Sequence, residues 1–218
     1  MACDRTDPPP TSTPTPPSRS LTGEEVLDRS RDAVAGAEGF RFELTHRDGV
    51  TALADGISVE RAEGAAVKPG SYRLEADTRV GSDYLETRVV VIGEDTWVWN
   101  SLNSTWSSLG PDDTAFGFFN PPELLARIMG DMSSPQLTAP GGEVYSLAAT
   151  LPASALEPLT GTAQEDMTVS VEVQVNADSF YPEAVEITGP VTPSEADDIV
   201  RLIHFWDFEE ELTIEPPG

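Results

Sequence analysis

The chain has 218 residues, with 13 Lys and Arg against 38 Asp and Glu, a formal charge of −25. That balance argues against nucleic acid, whose phosphates need cations, and against adhesion to an anionic bilayer through a basic patch. The length suffices for one sizeable core. A single cysteine excludes an internal disulfide and a cysteine-based metal site, and no apolar run approaches the roughly 18 residues of a membrane-spanning helix.

The first twenty residues hold Cys3 and a Pro/Ser/Thr tract ending near Ser20. The tract has too few large apolar side chains to pack, so residues 1–20 are expected to be a disordered tether. Extended, it would reach on the order of 50 Å at about 3.1 Å per residue. A small residue, Ala2, directly precedes Cys3, followed by a linker and then patterned sequence. This arrangement resembles the junction of a bacterial lipoprotein, in which the cysteine is acylated; the alternative is a stray cysteine. No apolar signal precedes Cys3 in this sequence, so Met1 and Ala2 are expected to be the remainder of a shortened N-terminus. Stable anchoring would need two or more acyl chains on Cys3.

A helix is expected next. Thr22 and Glu25 fit a capping box, and Val26, Leu27, Ala33, Val34 and Ala37 share one face, with Gly36 and Gly39 as stop signals. From Phe40 to Leu109 the period changes to two. Strands are expected over Phe40–His46, Leu53–Glu63, Ser71–Val80, Tyr84–Ile92, Thr96–Asn100 and Thr105–Leu109, separated by short glycine turns. Short connections make neighbours antiparallel, and charged residues alternating with apolar ones indicate one wet face. Three of the four tryptophans lie in this meander. Trp97 and Trp99, two apart, must share a face that needs a large apolar cover. Lys68, the only lysine among thirteen basic residues, reads as a coding-composition signature without functional weight.

Phe116, Phe118 and Phe119 lead into Asn120-Pro-Pro-Glu123, a helix start with Pro at its first position. Leu124, Leu125, Ile128, Met129 and Met132 follow at helical spacing. This is either a core helix or one that lines or lids a ligand cavity, where flexible methionines suit variable shapes. Further strands are expected over Glu143–Leu151, Met167–Val175 and Pro182–Thr188, with a short helical turn over Pro152–Leu159. A long strand or bent pair is expected over Ile199–Ile214. The total is ten or more antiparallel strands with two amphipathic helices, an α+β class.

Catalytic chemistry is hard to assemble from these residues. His46 and His204 sit in strand-like contexts without metal-ligand spacing, and no nucleophile elbow, phosphate-cradling loop or zinc-protease motif is present. The acidic clusters lack calcium-loop spacing and read as solvated surface. The expectation is a protein that is not an enzyme and uses no catalytic residue, metal or cofactor.

The order of features resembles the LppX/LprAFG-type lipoproteins, a branch of the LolA/LolB-like carriers. The resemblance rests on Cys3 with its linker, the opening helix leading to Phe40-Arg-Phe42, and the hairpin VVVIGEDTWVWNSLNSTW. It extends to the run from Asn120-Pro-Pro-Glu-Leu-Leu125 through Gly142-Glu-Val-Tyr145, and to Asp207-Phe208 and Thr213-Ile-Glu-Pro216. It covers essentially everything after Ser20. One departure is the pair Trp97 and Trp99, where related sequences often show a single Tyr-type aromatic.

What the resemblance implies is a single LolA-like lipid-binding domain over residues 21–218: a large antiparallel half-open β-barrel whose concave apolar face is covered by amphipathic helices. It implies an extracytoplasmic, monomeric lipoprotein of the bacterial cell envelope, anchored through Cys3, that holds acyl chains of a lipid or lipoprotein. The lining expected on that basis is Val26, Val34, Trp97, Trp99, Phe118, Phe119, Leu125, Ile128 and Met129. The alternative is an envelope signalling or scaffold module of the same fold that binds a protein partner.

Overall fold

The computed structural model describes residues 20–53, 56–101, 103–110, 117–139 and 142–218. Helix α1 (Gly23–Gly36) starts at a capping box: Glu25 N–H donates to Thr22 Oγ1 at 3.2 Å, and Thr22 N–H donates to Glu25 Oε2 at 2.9 Å. The chain then runs through β1 (Gly39–Asp48), β2 (Thr51–Ala52), β3 (Ile57–Val67), β4 (Ser71–Val80), β5 (Asp83–Ile92), β6 (Asp95–Asn100) and β7 (Thr105–Leu109). Helix α2 (Pro121–Asp131) follows, with the Asn120 side chain accepting from Glu123 N–H. After β8 (Ser133–Ala139) and β9 (Val144–Pro152) come a 3₁₀ turn, Ala153–Leu156, and the one-turn helix α3 (Glu157–Thr160). Strands β10 (Thr168–Asn176), β11 (Pro182–Thr188) and β12 (Val200–Trp206) complete the order.

The twelve strands form one antiparallel sheet in the order β7-β6-β5-β4-β3-β1-β12-β11-β10-β9-β8, with β2 added beside β3. Strands β7 and β8 end that path, so the sheet curls without closing. Helices α1 and α2 pack on each other and on its concave side, chiefly against β3, β8 and β9. The period-two reading holds residue by residue. Val169, Val171, Val173 and Val175 are buried while the intervening side chains are exposed, and they oppose Leu151, Ala149, Leu147 and Tyr145.

Two sequence expectations about elements change. The strand expected from Ile199 to Ile214 stops at Trp206, because Asp207 takes a left-handed φ of 59° and turns the chain inward. Asp tolerates that conformation through its short polar side chain, and Arg41 pairs with its carboxylate at 3.0 Å. The turn brings Phe208 down into the core, stacked on Tyr181 at 4.4 Å. Strand β8 went unrecognised since Ser-Ser-Pro-Gln-Leu-Thr-Ala lacks the alternation of a half-buried strand. It is an edge strand, where a proline is admissible, and only Pro135 in it is buried.

Candidate functional site

Two voids on the concave face flank α2, one on either side. The first is enclosed between the sheet and the N-terminal end of α2. Its floor is made by alternate residues of the central strands: Phe42 and Leu44 on β1, Ala62 on β3, Leu74 and Ala76 on β4, Ile203 and Phe205 on β12. Phe119, Pro121 and Leu124 roof it, and Leu53, Val59 and Leu159 close its sides. Every lining side chain is apolar, and the volume is ≈ 30 Å³. Its space comes from the facing alanines Ala62 and Ala76, paired across β3 and β4. Beside them, Gly64 lets Phe42 lie close over the sheet. A Cβ at Gly64 would sit 2.1 Å from the Arg73 carbonyl oxygen and 2.9 Å from the Phe42 ring.

The second void is a cleft of ≈ 290 Å³ between α1 and α2 at the β3–β4 end of the sheet. Val34, Phe40, Leu125, Met129 and Phe208 supply its apolar walls, and Arg31 and Lys68 are the charged residues that border it. An aromatic partition separates cleft from cavity. Phe40, facing the cleft, has ring centroids 6.4 Å from Phe42 and 5.6 Å from Phe205, which face the cavity. Phe119 continues the partition, 6.0 Å from Phe42 and edge-on to Tyr72 at 5.3 Å. Burial pushes the Tyr72 phenol well above its ordinary range, so this wall is uncharged at any physiological pH.

Beyond the cavity, towards the β4–β5 end, the concave side closes with a polar cluster. Arg201 and Glu195 form an ion pair with both side chains fully buried. The arrangement meets the demand of buried charge, since both groups make further hydrogen bonds. Arg201 also donates to Thr51 Oγ1 at 3.0 Å and to the Gly189 carbonyl at 3.1 Å. Glu195 accepts from Ala52 N–H at 3.0 Å and Val191 N–H at 2.7 Å. His46 joins through Thr51 Oγ1 and the Glu60 carbonyl, each at 2.8 Å. Burial holds its imidazole below the ordinary 6.5, opposed by the Glu60 hydrogen bond. This cluster binds β2 and the 189–195 loop to the central strands. Among the described residues, no group of three or more His, Cys, Asp or Glu side chains is arranged to hold a metal ion.

The expected lining residues divide. Phe119 borders the enclosed cavity, and Val34, Leu125 and Met129 border the cleft. Val26 and Ile128 are fully buried in the same apolar cluster but border neither void. Phe118 lies against Gly161, facing a third hollow near the β5–β6 turn. Cys3 and Phe116 lie outside the described residues.

For Trp97 and Trp99 the expectation is corrected. Strand pairing carries the concave set from Leu74 through Val89 to Val98, whereas Trp97 opposes Val90 and Trp99 opposes Trp106. All three tryptophans are therefore on the convex face, away from the helices. Trp99 meets Trp106 edge-on at 5.6 Å, and the Arg88 guanidinium lies 5.7 Å from the Trp99 ring. Sequence reasoning recognised that the two share a face, but spacing alone is silent on which face. It also missed the floor residues Leu44, Ala62, Leu74 and Ala76. The signal available was the alanines at inward positions in β3 and β4.

A curled antiparallel sheet with helices over an apolar concave face is a fold that solved structures share. The chain superposes on LprF from Mycobacterium bovis with a TM-score of 0.68, over 90% of this chain and 97% of that one, at 12% identity. It superposes on the lipoprotein LppX from Mycobacterium tuberculosis with a TM-score of 0.57, over 87% and 96%, at 14% identity. The chain has the LppX/LprF-type fold. No protein-family model and no curated protein matches the sequence.

Proposed function

We propose that this protein binds acyl chains of a lipid or acylated protein between its concave sheet and helices α1 and α2, and carries or presents them in the cell envelope. The observation that carries this reading is the all-apolar cavity lying one aromatic partition away from a larger, mostly apolar cleft. Lipidation of Cys3 would tether the protein outside the cytoplasm beside its source of lipid, with residues 1–20 as the linker and residues 21–218 as one binding domain.

A void of ≈ 30 Å³ is about a fifth of the roughly 150 Å³ cavity that admits benzene, so no long alkyl chain fits it. Loading therefore requires α2 to move. Its surface ion pairs, Arg127 with Glu123 and with Glu157, are exposed and contribute little. Apart from the Arg31 hydrogen bonds to its last turn, α2 is held chiefly by contact between apolar side chains, which an acyl chain can replace in kind. A sixteen-carbon chain sequestered from water gains on the order of 10 kcal/mol at about 0.8 kcal/mol per CH₂. Against a bilayer the same transfer is near zero, which suits a carrier that must also release.

Organic extraction of the purified protein followed by mass spectrometry tests the proposal. Stoichiometric lipid, or uptake of one lipid per protein from vesicles, is expected. An empty protein that takes up none would overturn it. A second reading, a scaffold that binds a protein partner, draws support from the convex cluster Trp97, Trp99 and Trp106. In that case Trp99→Ala would abolish envelope cross-links and leave lipid content untouched.

A further inference from the structure

The α1–α2 cleft has a charged rim that an acyl chain does not require. Lys68 Nζ donates to the Val34 and Ala35 carbonyls, both at 2.8 Å, at the C-terminal end of α1. Arg31 donates from Nε to the Met129 carbonyl at 2.8 Å and from a terminal nitrogen to the Gly130 carbonyl at 3.1 Å, at the C-terminal end of α2. The two cations thus stand on the rim of one cleft, each favoured by a helix terminus. Arg31 shares its charge with Asp28 on the solvent side, at 3.0 Å. Lys68 makes no ion pair among the described residues, and its ammonium has a third donor beyond the two carbonyl bonds. Among the described residues, no carboxylate side chain borders this cleft, although the chain has 38. The only lysine of the protein stands at the rim of this cleft.

We propose that this mouth is a headgroup seat: the ligand is an amphiphile whose anionic group, a phosphate or carboxylate, sits on Lys68 with Arg31 beside it, while its acyl chain lies along Leu125, Met129 and Phe40. The inference rests on the acyl-binding reading and adds the headgroup class and the point of entry. At ≈ 290 Å³ the cleft is about twice the roughly 150 Å³ cavity that admits benzene, so the first part of a chain fits without rearrangement. The overall charge of −25 repels anions elsewhere on the surface, which concentrates anion recognition at this mouth.

The test is binding of palmitoyl-lysophosphatidylglycerol and 1-monopalmitoylglycerol, matched in chain but with and without a phosphate, to the full chain by native mass spectrometry and titration. The phospholipid is expected to bind tighter by roughly tenfold or more, the scale of one charge-assisted hydrogen bond. K68M should bring the ratio near one, whereas R79Q, which removes the same charge far from the cleft, should retain it. Equal affinities of the wild type for the two lipids overturn the headgroup seat and leave the carrier reading standing. Binding of neither lipid overturns both. A K68M loss that falls equally on both lipids assigns Lys68 to helix capping alone and overturns the seat. Competition by inorganic phosphate alone, with the same dependence on Lys68, would make this a plain anion site and likewise overturn the proposal.

Discussion

The two halves of the sheet treat their concave faces differently. On the β8–β12 side, Leu147, Leu151, Val173 and Val175 are fully buried beneath the helices. On the β4–β7 side Tyr72, Leu74, Ala76 and Val89 are buried as well, but Leu85, Thr87, Val98 and Ser107 on the same face are half-buried or exposed. Both halves are built from the same alternating strands, so the difference comes from side-chain size and from where the helices rest. The β8–β12 half is packed throughout, whereas the β4–β7 half is packed only where the helices reach it. Ligand space belongs at the boundary, and the cavity floor of Ala62 and Ala76 lies there.

The largest expected effect comes from breaking the seam between the halves. Arg201→Met would leave Glu195 buried without its partner, at a cost of about 3–5 kcal/mol, read as a fall in the urea midpoint. A cost below about 1 kcal/mol would mean the pair does not hold β2 and the 189–195 loop in place. Next is the packing itself: Leu147→Ala should destabilise by about 2–5 kcal/mol, and Leu85→Ala, on the β4–β7 half, by about 1 kcal/mol or less. Equal losses at the two sites would erase the contrast drawn above.

Filling the boundary should separate stability from binding. Ala76→Val adds volume where there is room, so folding stability should stay within about 1 kcal/mol. Lipid content measured by extraction should drop. Unchanged lipid content would place the ligand elsewhere. The smallest effect is on pH dependence. His46 is held below 6.5 in the fold, so as pH falls below 6.5 the unfolded chain binds a proton that the native state resists. Stability is therefore fully present above 6.5 and is lost as pH falls from 6.5 to the lowered value. Melting profiles of His46→Gln should be flatter than the wild type across that window. Parallel profiles would remove His46 from the linkage.

Local signals were highly legible. Thr22 with Glu25, Asn120 ahead of two prolines, and the valines of β10 each declare an element through backbone chemistry a few residues wide, and each forms where expected. Edge strand β8 was not legible because its outer side is free of the pairing and covering that impose alternation. The halt at Trp206 was hidden as well, since nothing in Trp-Asp-Phe announces a left-handed aspartate. Of the candidate lining, Val34, Leu125, Met129 and Phe119 do reach a void. Trp97 and Trp99 do not, since a period of two sorts residues into faces without saying which is covered.

By itself, then, the sequence determined the antiparallel meander, the two capped helices and the acidic surface, for these follow from short-range periodicity, turn chemistry and composition. The tertiary structure decided which face of each strand the helices cover, and so turned the tryptophans outward. It also brought Lys68 and Arg31 to one mouth, although 36 residues separate them in the chain on different elements. Such placement depends on how the sheet curls and where the helices dock, a property of the whole packed molecule that no local run of residues carries.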